Sequence, residues 1–164
     1  MGMGMQTVTW METDVPIQLY VRQVYGFIFD QNGRVLVQED QGHYNLPGGK
    51  PEKGETLIET LAREAAEESQ VRFNSAIYLG YQHVQGEEEF AQVRYAAILD
   101  HVEPAAPDSA TGRQYRRLWV PPIEVNELLG WVESGKQQIE SAVKAVSALS
   151  VSWNRAPLFT SWID

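Results

Sequence analysis

From Ile17 to Asp30 the chain reads IQLYVRQVYGFIFD, rich in β-branched and aromatic residues, with Gly26 marking a bulge or a close approach. The turn DQNG (30–33) leads into RVLVQED (34–40), and Asn-Gly between two such runs predicts a hairpin. QGHYNLPGG (41–49) is loop-like. The period then changes. Over residues 56–69 Thr56 is placed to cap a helix and Glu59 to complete a capping box, with Ile58, Leu61, Ala62 and Ala65 on one stripe. Strand character returns at 76–85 and 89–100, around the turn Gly86-Glu87-Glu88. An exposed loop is expected at 103–112, then a strand, QYRRLWV (114–120), stopped by Pro121-Pro122. IEVNELL and residues 135–149 read as helices, the second turning Ile139, Val143, Val146 and Leu149 inward.

Residues 1–12 are expected to be flexible, and 122–164 to form C-terminal helices and a tail. Its tryptophans, Trp153 and Trp162, are expected to cover a core or a subunit contact. Strands precede and follow a central helix without regular alternation, which predicts an α+β sandwich in a single domain over 1–164.

The 164 residues are 43% hydrophobic and 21% charged, a globular composition able to bury a sizeable core. Apolar runs such as YAAIL are too short for a bilayer, so no membrane partner is expected. The chain has no cysteine, which excludes disulfides and thiolate metal sites and fits a cytoplasmic protein. A net charge of −9 argues against non-specific nucleic-acid binding. An anionic substrate is still compatible if a metal or arginines supply local positive potential, and Arg113, Arg116 and Arg117 lie close together.

The stretch GGKPEKGETLIETLAREAAEESQV (48–71) concentrates the candidate chemistry. Glu64, Glu67 and Glu68 share a face beside the apolar stripe, where like charges repel. Taken alone, this is either a solvated face or a cluster built for a cation. Gly48, Gly49 and Gly54 allow close backbone approach, three carboxylates supply the oxygen donors that Mg²⁺ prefers, and Arg63 can hold a carboxylate rotamer.

Gly49, Glu55 and the run Arg63-Glu64-Ala65-Ala66-Glu67-Glu68-Ser69-Gln70-Val71 resemble the Nudix box, G-x5-E-x7-R-E-U-x-E-E-x-G-U, with U aliphatic. The resemblance implies an α/β/α sandwich around a mixed sheet. It also implies Mg²⁺- or Mn²⁺-dependent hydrolysis of the diphosphate linkage in a nucleoside diphosphate derivative or nucleoside triphosphate. On the matching positions Glu64 and Glu68 would be the principal metal ligands, with Glu67 shared between ions and the Gly48 carbonyl joining them. Arg63 and Glu55 would orient the glutamates, and Glu64 or Glu67 would act as general base. The partner implied is a small nucleotide, bound by a monomer or homodimer. A nucleotide-binding regulatory module without turnover is the alternative from another class.

Two features depart from the family. Gln70 stands where the box has glycine, which puts the helix end in question. Relatives often carry a further acid before the late tryptophan, whereas Gly112 to Arg117 has none. Asp108 and Glu87, Glu88 and Glu89 are the nearest substitutes. Candidate substrate contacts are Arg22, His43, Lys50, Arg113 and Arg116. The positions where ADP-ribose hydrolases often have proline hold Gly86 and Glu87, and residues 88–90 lack the tyrosine of dinucleoside polyphosphate hydrolases, so the specific substrate is not named.

Overall fold

The computed structural model describes residues 5–131, 133–149 and 158–163. Its strands are β1 (Thr7–Met11), β2 (Val21–Phe29), β3 (Val35–Asp40), β4 (His43–Asn45) and β5 (Gly48–Gly49), then β6 (Val71–Gln85), β7 (Glu89–Val102), β8 (Arg116–Val120) and β9 (Ser161–Ile163). Helix α1 (Leu57–Ser69) separates β5 from β6, and α2 (Pro122–Leu129) and α3 (Glu133–Ser147) follow β8. The strands form one sheet in the order β1-β6-β7-β2-β3-β8-β9, with β4 on β3 and β5 on β2. β2 and β7 run parallel and the other pairs are antiparallel, so the sheet is mixed.

Alternation along β2 builds the two faces. Val24 and Ile28 sit in clusters with Leu61 and Ala65 of α1, while Phe27 and Phe29 pack with Val125 of α2 and Ile139, Ala142 and Val146 of α3. Helices therefore cover opposite faces of the sheet, the α/β/α arrangement expected. At Gly26 a Cβ would lie 2.7 Å from Leu61, so the missing side chain admits the helix.

Several sequence expectations are corrected. Residues 7–11 are not a loose start: they form β1, paired with Tyr81 to Gln85 of β6. The strand expected from residue 17 begins at Val21, and the one expected from 114 begins at Arg116. The loop at 41–49 contains β4 and β5, while β6 begins at Val71 and passes irregularities that keep it paired with β7. On α1 the buried ridge is Thr60, Leu61, Ala65 and Ser69; Ile58 and Ala62 lie on the solvent side. Leu149 falls beyond the end of α3 and is exposed. Trp162 is partly exposed beneath the Arg116 guanidinium, 3.8 Å from its ring centroid, and Trp153 lies outside the described residues.

Candidate active site

The capping box forms as the sequence predicts. Glu59 N–H donates to Thr56 Oγ1 at 3.1 Å and Thr56 N–H to Glu59 Oε1 at 2.9 Å, which fixes the start of α1. The glycine loop then lies along the helix through β5, which pairs with Val24 and Tyr25 of β2. A Cβ on Gly49 would come within 2.7 Å of the Glu64 carboxyl carbon, so any side chain there would require Glu64 to leave its place on Arg63.

Arg63 gathers the acids. Its Nε donates to Glu55 Oε2 at 2.7 Å and Nη2 to Glu55 Oε1 at 3.1 Å, a two-point clamp. Nη1 reaches Glu64 Oε1 at 2.7 Å and Glu67 Oε2 at 3.4 Å, and Nη2 also donates to the Lys50 carbonyl at 3.1 Å. The Arg63 hydrogen bond, first among its causes, holds the Glu55 carboxyl down at about 2. Glu64 is pushed up by burial, which outweighs the Arg63 contact.

Glu68 differs from both. It projects from the core side of α1 and accepts from the Gly48 N–H at 3.1 Å. Burial pushes its carboxyl up to about 8; the Gly48 amide opposes this, and the neighbouring charges of Glu64 and Asp108 reinforce it. No arginine or lysine bonds to it among the described residues. A carboxylate held out of water without a counter-cation is a place where a cation is favourable.

The donors fit a hard divalent ion, since they are carboxylate oxygens beside a glycine backbone that leaves room for close approach. As they stand, Glu64 and Glu67 are turned to Arg63, and no three carboxylate or imidazole side chains converge as a ready-made cage among the described residues.

The candidate residues outside the box are dispersed. Lys50 lies beside the network and lines a cavity of about 450 Å³ with Arg22, Tyr20, Phe90, Glu88 and Glu89. There Arg22 pairs with Glu88 at 2.8 Å and sits 4.7 Å from the Phe90 ring centroid. Arg113 is bound to Asp40 at 3.2 Å and Arg116 to Glu39 at 3.3 Å, while His43 is exposed on β4 opposite Asp40. Arg117 is fully buried at the end of α1. A cavity of about 640 Å³ between α2 and α3 is lined by none of the box residues.

Asp108 is the residue whose setting sequence reasoning undervalued. It is 4% exposed, although the segment around it was expected to be an exposed loop. Its charge adds to those that raise Glu64 and Glu68. Glu87, Glu88 and Glu89 are exposed at the β6–β7 turn.

A family model, the NUDIX domain, matches residues 19–141, well over half of the chain. The chain belongs to the Nudix family. Membership assigns it to the hydrolases of phosphorus-containing anhydrides. Among solved structures, this Nudix chain resembles a pyrophosphohydrolase of Bacillus subtilis, RppH, at 23% identity and a TM-score of 0.67, covering 90% of this chain and 94% of that one. A Nudix hydrolase family member from Chromobacterium violaceum aligns at 25% identity and a TM-score of 0.53, over 83% and 89% of the two chains. MutT from Bacillus halodurans aligns at 22% identity and 0.56, over 74% and 81%. Among curated proteins no significant sequence match exists. No helix of the described residues is long and apolar enough to cross a membrane.

Proposed function

We propose that this Nudix domain is a Mg²⁺- or Mn²⁺-dependent hydrolase of the diphosphate linkage in a nucleoside diphosphate derivative or nucleoside triphosphate. One observation carries the reading: the full set of box glutamates is present, and Glu68 is pressed against the glycine loop with no cationic side chain bonded to it among the described residues. Glu64, Glu67, Glu68 and the Gly48 carbonyl would hold the metal. When bound, the metal neutralises phosphate oxygens, lowers the pKa of a water and fixes an in-line approach.

The protein's own groups do the rest. Arg63, clamped by Glu55, sets the rotamers of Glu64 and Glu67. We assign proton acceptance to Asp108, since Glu64 and Glu67 carry Arg63 on their oxygens and Asp108 bonds to no arginine among the described residues. A water oxygen attacks phosphorus, its proton passes to the Asp108 carboxylate, and the bridging P–O bond breaks to give two phosphate products. Lys50 would supply positive charge for the substrate, with Arg22, held by Glu88 over the buried Phe90 ring, beside it, and exposed Tyr20 would stack its base. Arg113, Arg116 and His43 are weaker candidates, because none of them lines the cavity that Lys50 and Arg22 share. A cytoplasmic setting suits a chain without cysteine.

The test is turnover with Mg²⁺ and with Mn²⁺ on a panel of nucleoside triphosphates, sugar nucleotides, ADP-ribose, dinucleotides and polyphosphates. Release of nucleoside monophosphate or inorganic phosphate from one class supports the reading. Metal and nucleotide binding without turnover on any of them replaces it with a regulatory module.

A further inference from the structure

We propose that Gln70 is a positioning residue: its side chain is the strut that holds the Asp108 loop against the C-terminal end of α1. The inference rests on the role of Asp108 proposed above, but its first test does not.

Gln70 caps α1 at φ 51° and ψ 43°, a left-handed conformation that glycine adopts far more easily. A side chain kept there at a steric cost needs a compensating role, and this one has two hydrogen bonds. Its Nε2 donates to the Glu67 carbonyl at 3.0 Å, inside the helix. Its Oε1 accepts from the Ala106 N–H at 3.1 Å, two residues before Asp108. One amide group therefore spans from the helix that carries Glu64, Glu67 and Glu68 to the loop that carries Asp108.

The backbone completes the joint. The Gln70 carbonyl accepts from Glu103 N–H at 2.8 Å. Buried Arg117 donates through Nη1 to the Ser69 carbonyl at 3.0 Å and to the Glu103 carbonyl at 2.9 Å. These contacts fix the root of the loop whatever residue stands at 70. Among the described residues it is the glutamine side chain that hydrogen-bonds as far out as Ala106. Beyond it the loop is closed on itself, with Asp108 N–H donating to the Arg113 carbonyl at 2.6 Å and Gly112 N–H to the Asp108 carbonyl at 2.7 Å. The turn bearing Asp108 is thus a small rigid unit whose position relative to α1 depends on where Ala106 is tied.

Two variants isolate the strut. Gln70→Gly keeps the left-handed cap and removes both side-chain bonds; Gln70→Asn also tolerates that conformation and is too short to bridge. In the metal-free protein, amide exchange at Ala106 should accelerate by tenfold or more in both, while amides in the middle of α1 keep their protection and the melting temperature stays level or rises. Unchanged exchange at Ala106 overturns the strut directly, whether or not the protein turns anything over. With a substrate from the panel, kcat should fall by about tenfold at unchanged KM and unchanged Mn²⁺ affinity, within the range seen for groups that orient a site. In an Asp108→Asn background the same change should cost nothing further. Full additivity of the two losses would mean that Gln70 acts elsewhere. A loss of kcat in Gln70→Gly with Asp108→Asn itself fully active would refute the role of Asp108 and the strut's purpose, but not the exchange result.

Discussion

Glu68→Gln offers a direct test of the half-buried carboxylate that bonds to no cationic side chain among the described residues. In the metal-free fold this carboxyl is raised from its ordinary 4.5 to about 8. The sign follows. A raised folded-state pKa means that the protonated form is favoured by the fold, so its contribution is fully present below pH 4.5 and is lost as pH rises toward 8. That displacement corresponds to at most about 5 kcal/mol. For a domain of this size it translates into a fall in melting temperature of about 10–20 °C. His101, held up chiefly by its contact with Asp100, loses stability in the same direction. The difference between wild type and Glu68→Gln cancels that contribution.

Glutamine keeps the shape and an oxygen for the Gly48 amide while never ionising. In EDTA the two melting curves should therefore coincide near pH 5 and diverge toward pH 8, with the variant the more stable. Mn²⁺ should reverse the order. At a hundredfold excess over Kd it stabilises the wild type by about 2.7 kcal/mol, and the variant should gain little. Scanning fluorimetry across pH 5–9, with and without metal, reads all of this. Parallel curves in EDTA, or a variant that melts lower at pH 8, would refute the idea that the Glu68 charge lacks a counter-ion in the metal-free fold.

The other predictions concern neighbouring groups. Glu55→Gln, which loosens the Arg63 clamp without removing a direct ligand, should weaken Mn²⁺ binding by about 10–100-fold and by less than Glu68→Gln does; an equal or larger loss on titration would make Glu55 a ligand. Gly49→Ala places a Cβ 2.7 Å from the Glu64 carboxyl carbon, so the Mn²⁺-induced rise in melting temperature should shrink sharply; an undiminished rise would show that Glu64 is free to move aside. Asp108→Asn should lower kcat by about 10²–10⁴-fold with KM nearly unchanged, and full activity would return the general base to Glu64 or Glu67.

What the sequence disclosed was local. The capping box, the helix bearing three glutamates and the close approach at Gly26 follow from residues a few positions apart, and all three are present in the structure. The apolar stripe of α1 was displaced by one ridge because Thr60 and Ser69 are fully buried while Ile58 faces solvent, which hydrophobicity alone misjudges. Strand β1 was missed because its pairing among the described residues is with β6, seventy or more positions away. Asp108 was undervalued for the same physical reason. Its burial is a property of how the loop docks, and the docking contacts come from Gln70 and Arg117 on other elements.

The buried arginines sharpen that point. Arg94, 3% exposed, donates to Gln138 of α3 at 3.0 Å and lies about as close to the rings of Tyr25 and Trp131, at 5.1 and 5.3 Å. Arg117 closes the last turn of α1, where its charge complements the carbonyl end of the helix. In the sequence Arg117, grouped with Arg113 and Arg116, reads as a cation available to an anionic substrate. In the fold Arg94 and Arg117 are each used to join a helix to the sheet or to a loop, and burial lowers the pKa of both. Of the candidate substrate cations, Arg22, Arg113 and Arg116 are each paired with a carboxylate, whereas Lys50 has no ion pair among the described residues; under the proposed function it would supply the attraction together with the metal. Under the proposed function, a domain with a net charge of −9 would in this way concentrate attraction for a diphosphate beside the glycine loop.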